Sequence, residues 1–180
     1  MRVLLILFVF LFVPQKIFAQ VSTTPGNLVP LVAPHDEYVL PYPGMLPDNP
    51  FYFIKTIRDT VVLFLITDPS KKADFNLLQA SKRFQAGVFL MKKNHAKAPL
   101  AFSTLSKGIQ YFSHAIAITL ELKKERADVS YLTTQLSQSL VQYKSMLADL
   151  STSFPQDKIQ IKELQDTLLP FDHQLFLLSK

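Results

Sequence analysis

From Pro50 onward the apolar residues recur every three or four positions, the period of a helix with one buried face. Ile54, Ile57, Val61 and Phe64 form the first stripe. Ala73, Leu77, Ala80, Phe84, Val88 and Met91 form the second, which the stretch "NHAKAP" breaks. Pro99 opens a third helix carrying Phe102, Leu105, Ile109, Phe112, Ile116 and Leu120. Asp128 is expected to cap a fourth, which carries Leu132, Leu136, Leu140, Tyr143, Leu147 and Leu150. A last stripe of Ile161, Leu164 and Leu168 runs to Pro170, which is expected to stop or kink its helix. One-sided stripes must be buried against one another, and short connections favour antiparallel neighbours. The pattern predicts an all-α fold, an up-down bundle of four or five helices. A run of helix pairs resembling tetratricopeptide repeats is the alternative, although no convincing 34-residue self-match supports it. The third and fourth stripes are expected to face each other, or jointly to face the second helix. Phe112 is then buried, and "KKERAD" is an exposed turn.

Two helix starts are written in side-chain chemistry. Asn49 and Asp68 are expected to cap helices that begin with Pro50 and Pro69, because a short polar side chain accepts from the first free amides. Proline is harmless at the first helical position, where its missing N–H has no intrahelical partner. Asp48 is expected to share in satisfying those amides. Upstream, Pro25, Pro30, Pro34, Pro41, Pro43 and Pro47 block regular structure. The predicted organisation is a leader over 1–19, an extended Pro-rich tether over 20–48 and a helical bundle over 49–180. The stretch "YPGMLPDNPFYFIK", Tyr42 to Lys55, is then the entry to the fold.

The leader reading rests on Arg2, the uninterrupted apolar run Val3–Val13 and the small residue Ala19 before Gln20. That is the layout of a secretory signal peptide, with the mature chain beginning near Gln20. A retained membrane anchor is the competing reading, but eleven apolar residues fall short of the roughly 20 needed to span a bilayer. The rest of the chain holds no run long enough to span. An extracytoplasmic location, periplasmic or secreted, is therefore expected. With no cysteine, stability there must come from the core, not from disulfides. Losing Arg2 and Lys16 leaves 17 basic against 14 acidic side chains, a net charge of +3. No dense basic run exists, so nucleic-acid binding is not expected.

Candidate chemistry is sparse. His35, His95, His114 and His173 are never three or four apart on one helix, and no Glu-x-x-His occurs, so no metal site is expected. His114, between Phe112 and Ile116, reads as a half-buried structural histidine. There is no nucleophile elbow and no Gly-rich phosphate loop, so no catalytic residue or cofactor is expected. Asp172-His173 is at most half of a triad. The lysine pairs 71/72, 92/93 and 123/124 read as solvated, the last two near helix C-termini, where cations complement the dipole. Lys55 and Asp59, four apart, are expected to pair weakly. Tyr38, Tyr42 and Tyr52 beside the prolines either close the end of the bundle or form a strip for partner contact.

The block from Leu40 to Phe84 resembles a family of bacterial extracytoplasmic helical domains of unknown function. The resemblance rests on Pro47-Asp48-x-Pro50, Tyr52, Lys55 and Arg58, then Asp68-Pro69-x-Lys71-Lys72-Ala73 and Lys82-Arg83. The family's pattern places acids just before the Lys-Arg pair and three residues after the arginine. Here Ser81 and Ala86 stand there, so the implied ion pairs do not carry over. The resemblance implies a helical fold and a compartment, and no activity. The functional expectation is a non-enzymatic helical module that binds a protein or envelope partner. The alternative is an enzyme acting on cell-wall material through Glu121, Asp128 and Asp149.

Overall fold

The computed structural model describes residues 40–180, and those residues fold as α-helices joined by short turns. The helices are α1 (Tyr52–Leu65), α2 (Pro69–Lys93), α3 (Ala98–Lys124), α4 (Ser130–Ser153) and α5 (Lys158–Ser179). Short 3-10 turns, His95–Lys97 and Pro155–Asp157, lead into α3 and α5. The leader and most of the tether, with Tyr38 and His35, lie outside the described residues.

The core is built by α2 to α5. In α2 and α3 two glycines let the backbones approach closely. A Cβ on Gly87 would stand 2.5 Å from Leu105 Cγ, and one on Gly108 would stand 2.9 Å from Phe84 Cδ2. Late α2 thus meets early α3, and Ala73 of early α2 clusters with Leu122 of late α3, so the pair is antiparallel. Tyr143 of α4 stacks on Phe84 with ring centroids 3.9 Å apart, and its hydroxyl lies 2.7 Å from Ser81 Oγ. The His95 ring, just beyond α2, meets Asp157 just beyond α4, with Nε2 and Oδ2 2.6 Å apart. These contacts make α2 and α4 parallel. On the other side Phe112 of α3 packs edge-on against both Tyr143 and Phe171 of α5. Lys123 Nζ donates to the carbonyls of Leu177 and Leu178, so the late part of α3 caps the end of α5. The most extensive helix–helix contacts are α2–α3 and α4–α5. Of the two arrangements expected for the third stripe, it faces α2 and α5 more than α4.

Two expectations are corrected, and one, that Pro170 stops or kinks its helix, loses its first alternative. Pro170 does not end the last helix: α5 continues to Ser179, because Phe171, Leu175 and Leu178 extend the buried stripe. Pro170 itself is exposed, so the carbonyl left without its amide partner can be hydrated. His114 is exposed, since it falls on the side of α3 away from Phe112. The tether's described end, 40–48, is not a spacer: Leu40 is buried in the main core, Pro43 is buried and Leu46 packs against the core. Gln85 Nε2 holds it by donating to Leu40 O at 3.2 Å.

Candidate functional site

The first helix is docked the other way round from the other four. Its expected core stripe, Ile54, Ile57, Val61 and Phe64, faces solvent, and Phe64 is 85% exposed. Its one fully buried residue is Asp59, on the opposite face. Tyr52, Lys55, Thr56, Val62, Leu63 and Ile66 share that inward face and are half-buried. A 100° turn per residue places the outward arc Phe53–Phe64–Ile57–Val61–Ile54–Leu65 across the axis from Asp59.

Polar contacts hold this orientation. Lys55 Nζ donates to Pro43 O at 2.8 Å and Met45 O at 3.4 Å. Burial pushes the Lys55 ammonium below its usual pKa, against the opposing pull of the Asp59 carboxylate. The expected Lys55–Asp59 pair is therefore replaced: Asp59 Oδ1 takes Arg58 Nη2 at 2.7 Å, and Lys55 is committed to the entry turn. Arg83 of α2, itself buried, donates from Nη1 to the Tyr52 hydroxyl at 2.9 Å. The same guanidinium lies over the Tyr111 ring of α3, 5.1 Å from its centroid. Burial raises the Tyr52 phenol's pKa, with Arg83 acting against the rise. The joint is not fully satisfied, because Arg83 Nε is buried without a hydrogen-bond partner.

A second anchor ties the entry turn to the far end of α2. Asp48 Oδ2 accepts from Lys97 Nζ at 2.7 Å and from Lys93 Nζ at 3.4 Å. The Lys97 hydrogen bond, followed by the two ammonium charges, holds the Asp48 carboxyl below its usual range despite opposing burial.

The expected fold-entry residues thus divide. Asp68 Oδ1 accepts from Ser70 N at 2.8 Å and Lys71 N at 3.3 Å, with Pro69 at the first position of α2. Asn49 Oδ1 accepts from Phe51 N at 2.9 Å, but regular helix starts at Tyr52. Pro50 therefore sits in the turn before α1, and Phe51 occupies its cap position without a side-chain cap. Asp48 does not cap: two ammonium groups outcompete backbone amides for its carboxylate. The tyrosines divide too. Tyr52 turns inward to Arg83, whereas Tyr42 is exposed beside Phe89, with ring centroids 6.5 Å apart. Ser81, where the resemblance implies an acid, is buried against Tyr143.

The carboxylates proposed for an enzyme do not converge. Glu121, Asp128 and Asp149 are all exposed. Glu121 pairs with Lys124, and Asp128 is engaged by the backbone and side chain of Ser130, which lower its pKa. Asp128 lies just before α4 and Asp149 near its end, on the order of 30 Å apart at 1.5 Å per residue. A shallow groove between α3 and α5, lined by Phe102, Ser103, Ser106, Leu164 and Thr167, contains a single acid, Glu163. Among the described residues no three His, Asp or Glu side chains lie close enough to hold a metal ion, and no helix is long and apolar enough to cross a membrane.

Sequence reasoning missed the inversion of α1. The available signal was a second stripe, Tyr52, Lys55 and Asp59, at the same three- and four-residue spacing. Its first residue, Tyr52, meets the buried Arg83 of α2. Compared with known proteins, the chain matches a family model described as a domain of unknown function (DUF5667) over residues 44–139 of 180. No curated protein and no solved structure matches it.

Proposed function

We propose that this chain, which belongs to the family defined by the domain of unknown function DUF5667, is an extracytoplasmic, non-enzymatic module that binds a protein or envelope partner through the outward face of α1. The observation that carries the reading is the inversion of α1. A surface helix lowers its free energy by burying its apolar stripe. This one keeps the stripe in water while hydrogen bonds through Tyr52 and Lys55 fix the opposite face. The residues on which the family resemblance rests include Asp48, Tyr52, Lys55 and Arg83, which form those anchors. An exposed contiguous apolar patch of this size is the usual mark of an interaction surface. The leader-like run Val3–Val13 supports export.

The test is photo-crosslinking in intact cells from a reactive residue placed at Ile57 or Phe64, with Val141, an exposed residue on α4, as the control. Adducts from the α1 positions and none from Val141 are expected. Equal or absent labelling overturns the reading. For the compartment, the mass of the exported chain should correspond to a start near Gln20. An intact N-terminus held in a membrane fraction contradicts that.

A further inference from the structure

We infer that the occupant of the α1 face is a second copy of this chain, joined as a parallel, in-register pair of α1 helices. The inference rests on the reading of α1 as a docking face and commits to what covers it.

Three observations favour this occupant. The first is spacing. Ile54, Ile57, Val61 and Phe64 stand three, four and three apart, the repeat that places alternate residues along one seam between two helices. Ile54 and Val61 are β-branched and share the seam position where β-branching favours two parallel strands. The second is area. Phe53, Ile54, Ile57, Val61, Phe64 and Leu65 are each at least half exposed. With aromatic side chains carrying roughly 150–250 Å² each, the patch is on the order of 700 Å². That exceeds the roughly 300–600 Å² of the largest patch on an ordinary monomer and comes close to the roughly 800 Å² each partner gives to a standard interface.

The third is charge. Helices that lie on anionic lipid do so with a free basic polar face. Here that face is turned onto the body, Lys55 is held by two carbonyls and Arg58 is paired with Asp59. The helix thus has no unpaired cation to offer a headgroup. A like helix asks for none. In the parallel pair Phe53 lies diagonally across from Arg58 of the second copy, where a guanidinium and an aromatic ring attract. The antiparallel pair on the same seam would bring the two Arg58 side chains together.

The absence of cysteine makes the test direct. In a parallel pair each seam residue meets its own copy, so the full chain carrying either Ile57→Cys or Val61→Cys should form a disulfide-linked dimer under copper-phenanthroline oxidation. Linking should be at least tenfold faster than for Val141→Cys, which reports random collision. Ile57→Glu should convert the sedimenting dimer to monomer while leaving the unfolding transition in place. Self-pairing is overturned if linking is no faster than at Val141, if Ile57→Glu leaves a dimer, or if a monomer binds phosphatidylglycerol vesicles through α1. In each of those cases, heterologous or lipid adducts from a photoreactive group at Ile57 would leave the docking face standing. Their absence would remove both.

Discussion

α1 and α3 carry the same apolar spacing and end in opposite surroundings. In α3, Leu105, Ile109, Phe112 and Ile116 are buried between α2 and α5, with Phe112 edge-on to two rings. In α1, Ile54, Ile57, Val61 and Phe64 are in water. Periodicity says that a helix has an apolar face, and it leaves open what that face meets. The faces opposite the two stripes differ. Behind the α3 stripe lie exposed Ser103, Lys107 and His114, which lose nothing in water. Behind the α1 stripe lie Tyr52, Lys55 and Asp59, and each finds a site in or near the body.

The largest test of this contrast is truncation on each stripe. Phe112→Ala should cost about 3–5 kcal/mol, the range for deleting a buried aromatic. Ile57→Ala should change stability by under about 0.5 kcal/mol in the monomer, as at most exposed positions. Denaturant titration of both variants below the dimer's dissociation range checks this. Equal losses would mean that α1 is buried against the body.

Next in size is the joint itself. Tyr52→Phe removes the acceptor for Arg83 Nη1 on a guanidinium whose Nε already lacks a partner. Hydrogen bonds to charged groups contribute about 1.5–3 kcal/mol. The loss should fall on α1 alone, since Tyr52 lies outside the core formed by α2 to α5. Hydrogen exchange should therefore quicken across residues 52–65 and stay unchanged across α3. Uniform quickening would tie α1 into the global fold and erase the contrast.

The fold was legible where chemistry is local and the stripe faces the core. Asp68-Pro69 reads as a helix start because cap and proline act within one turn. The stripes of α2 to α5 read as core because a bundle buries them. Asp48 was misread for the opposite reason: its partners, Lys93 and Lys97, are 45 and 49 residues away, beyond any local rule. The face of α1 was misread because burial was inferred from apolarity alone. Its polar stripe answers Arg83, a residue singled out in sequence only through the family resemblance. Pro170 shows the same limit, since a long buried stripe outweighs one missing amide on an exposed side.

The entry turn offers a pH test of the same joint. The folded pKa of Asp48 is depressed, so its pairing stabilises the fold fully above the ordinary value of 3.8 and is lost as pH falls through the lowered folded value. Asp48→Asn should therefore remove part of the acid-induced loss of stability below about pH 4. It should lower stability near neutral pH relative to the parent chain. Parallel acid titrations of the two chains check the sign, and a variant with an unchanged acid limb would place Asp48 in solvent.

The smallest effect concerns how the two helices end. α1 simply stops, with Ile66 extended at φ −74° and ψ 110°. α3 ends in a reversal: Ala127 N donates to Leu122 O at 3.0 Å and Arg126 N to Lys123 O at 3.0 Å. These are the two bonds of a Schellman cap, whose pivot residue is left-handed and usually glycine. Here the pivot is Arg126, at φ 62°. A side chain in that conformation costs about 1–2 kcal/mol, and glycine's greater freedom in the unfolded chain returns about 0.5–1 kcal/mol of that. Arg126→Gly should therefore stabilise the bundle by about 0.5–1 kcal/mol. Its side chain is exposed and makes no hydrogen bond or ion pair among the described residues whose loss would offset the gain. Thermal unfolding of the variant checks it. Ile66→Gly at the end of α1 should show no such gain, because extended backbone places no strain on isoleucine there. If Arg126→Gly destabilised the fold, the α3–α4 turn would be held by its side chain, and the two helix ends would not differ as their backbones do.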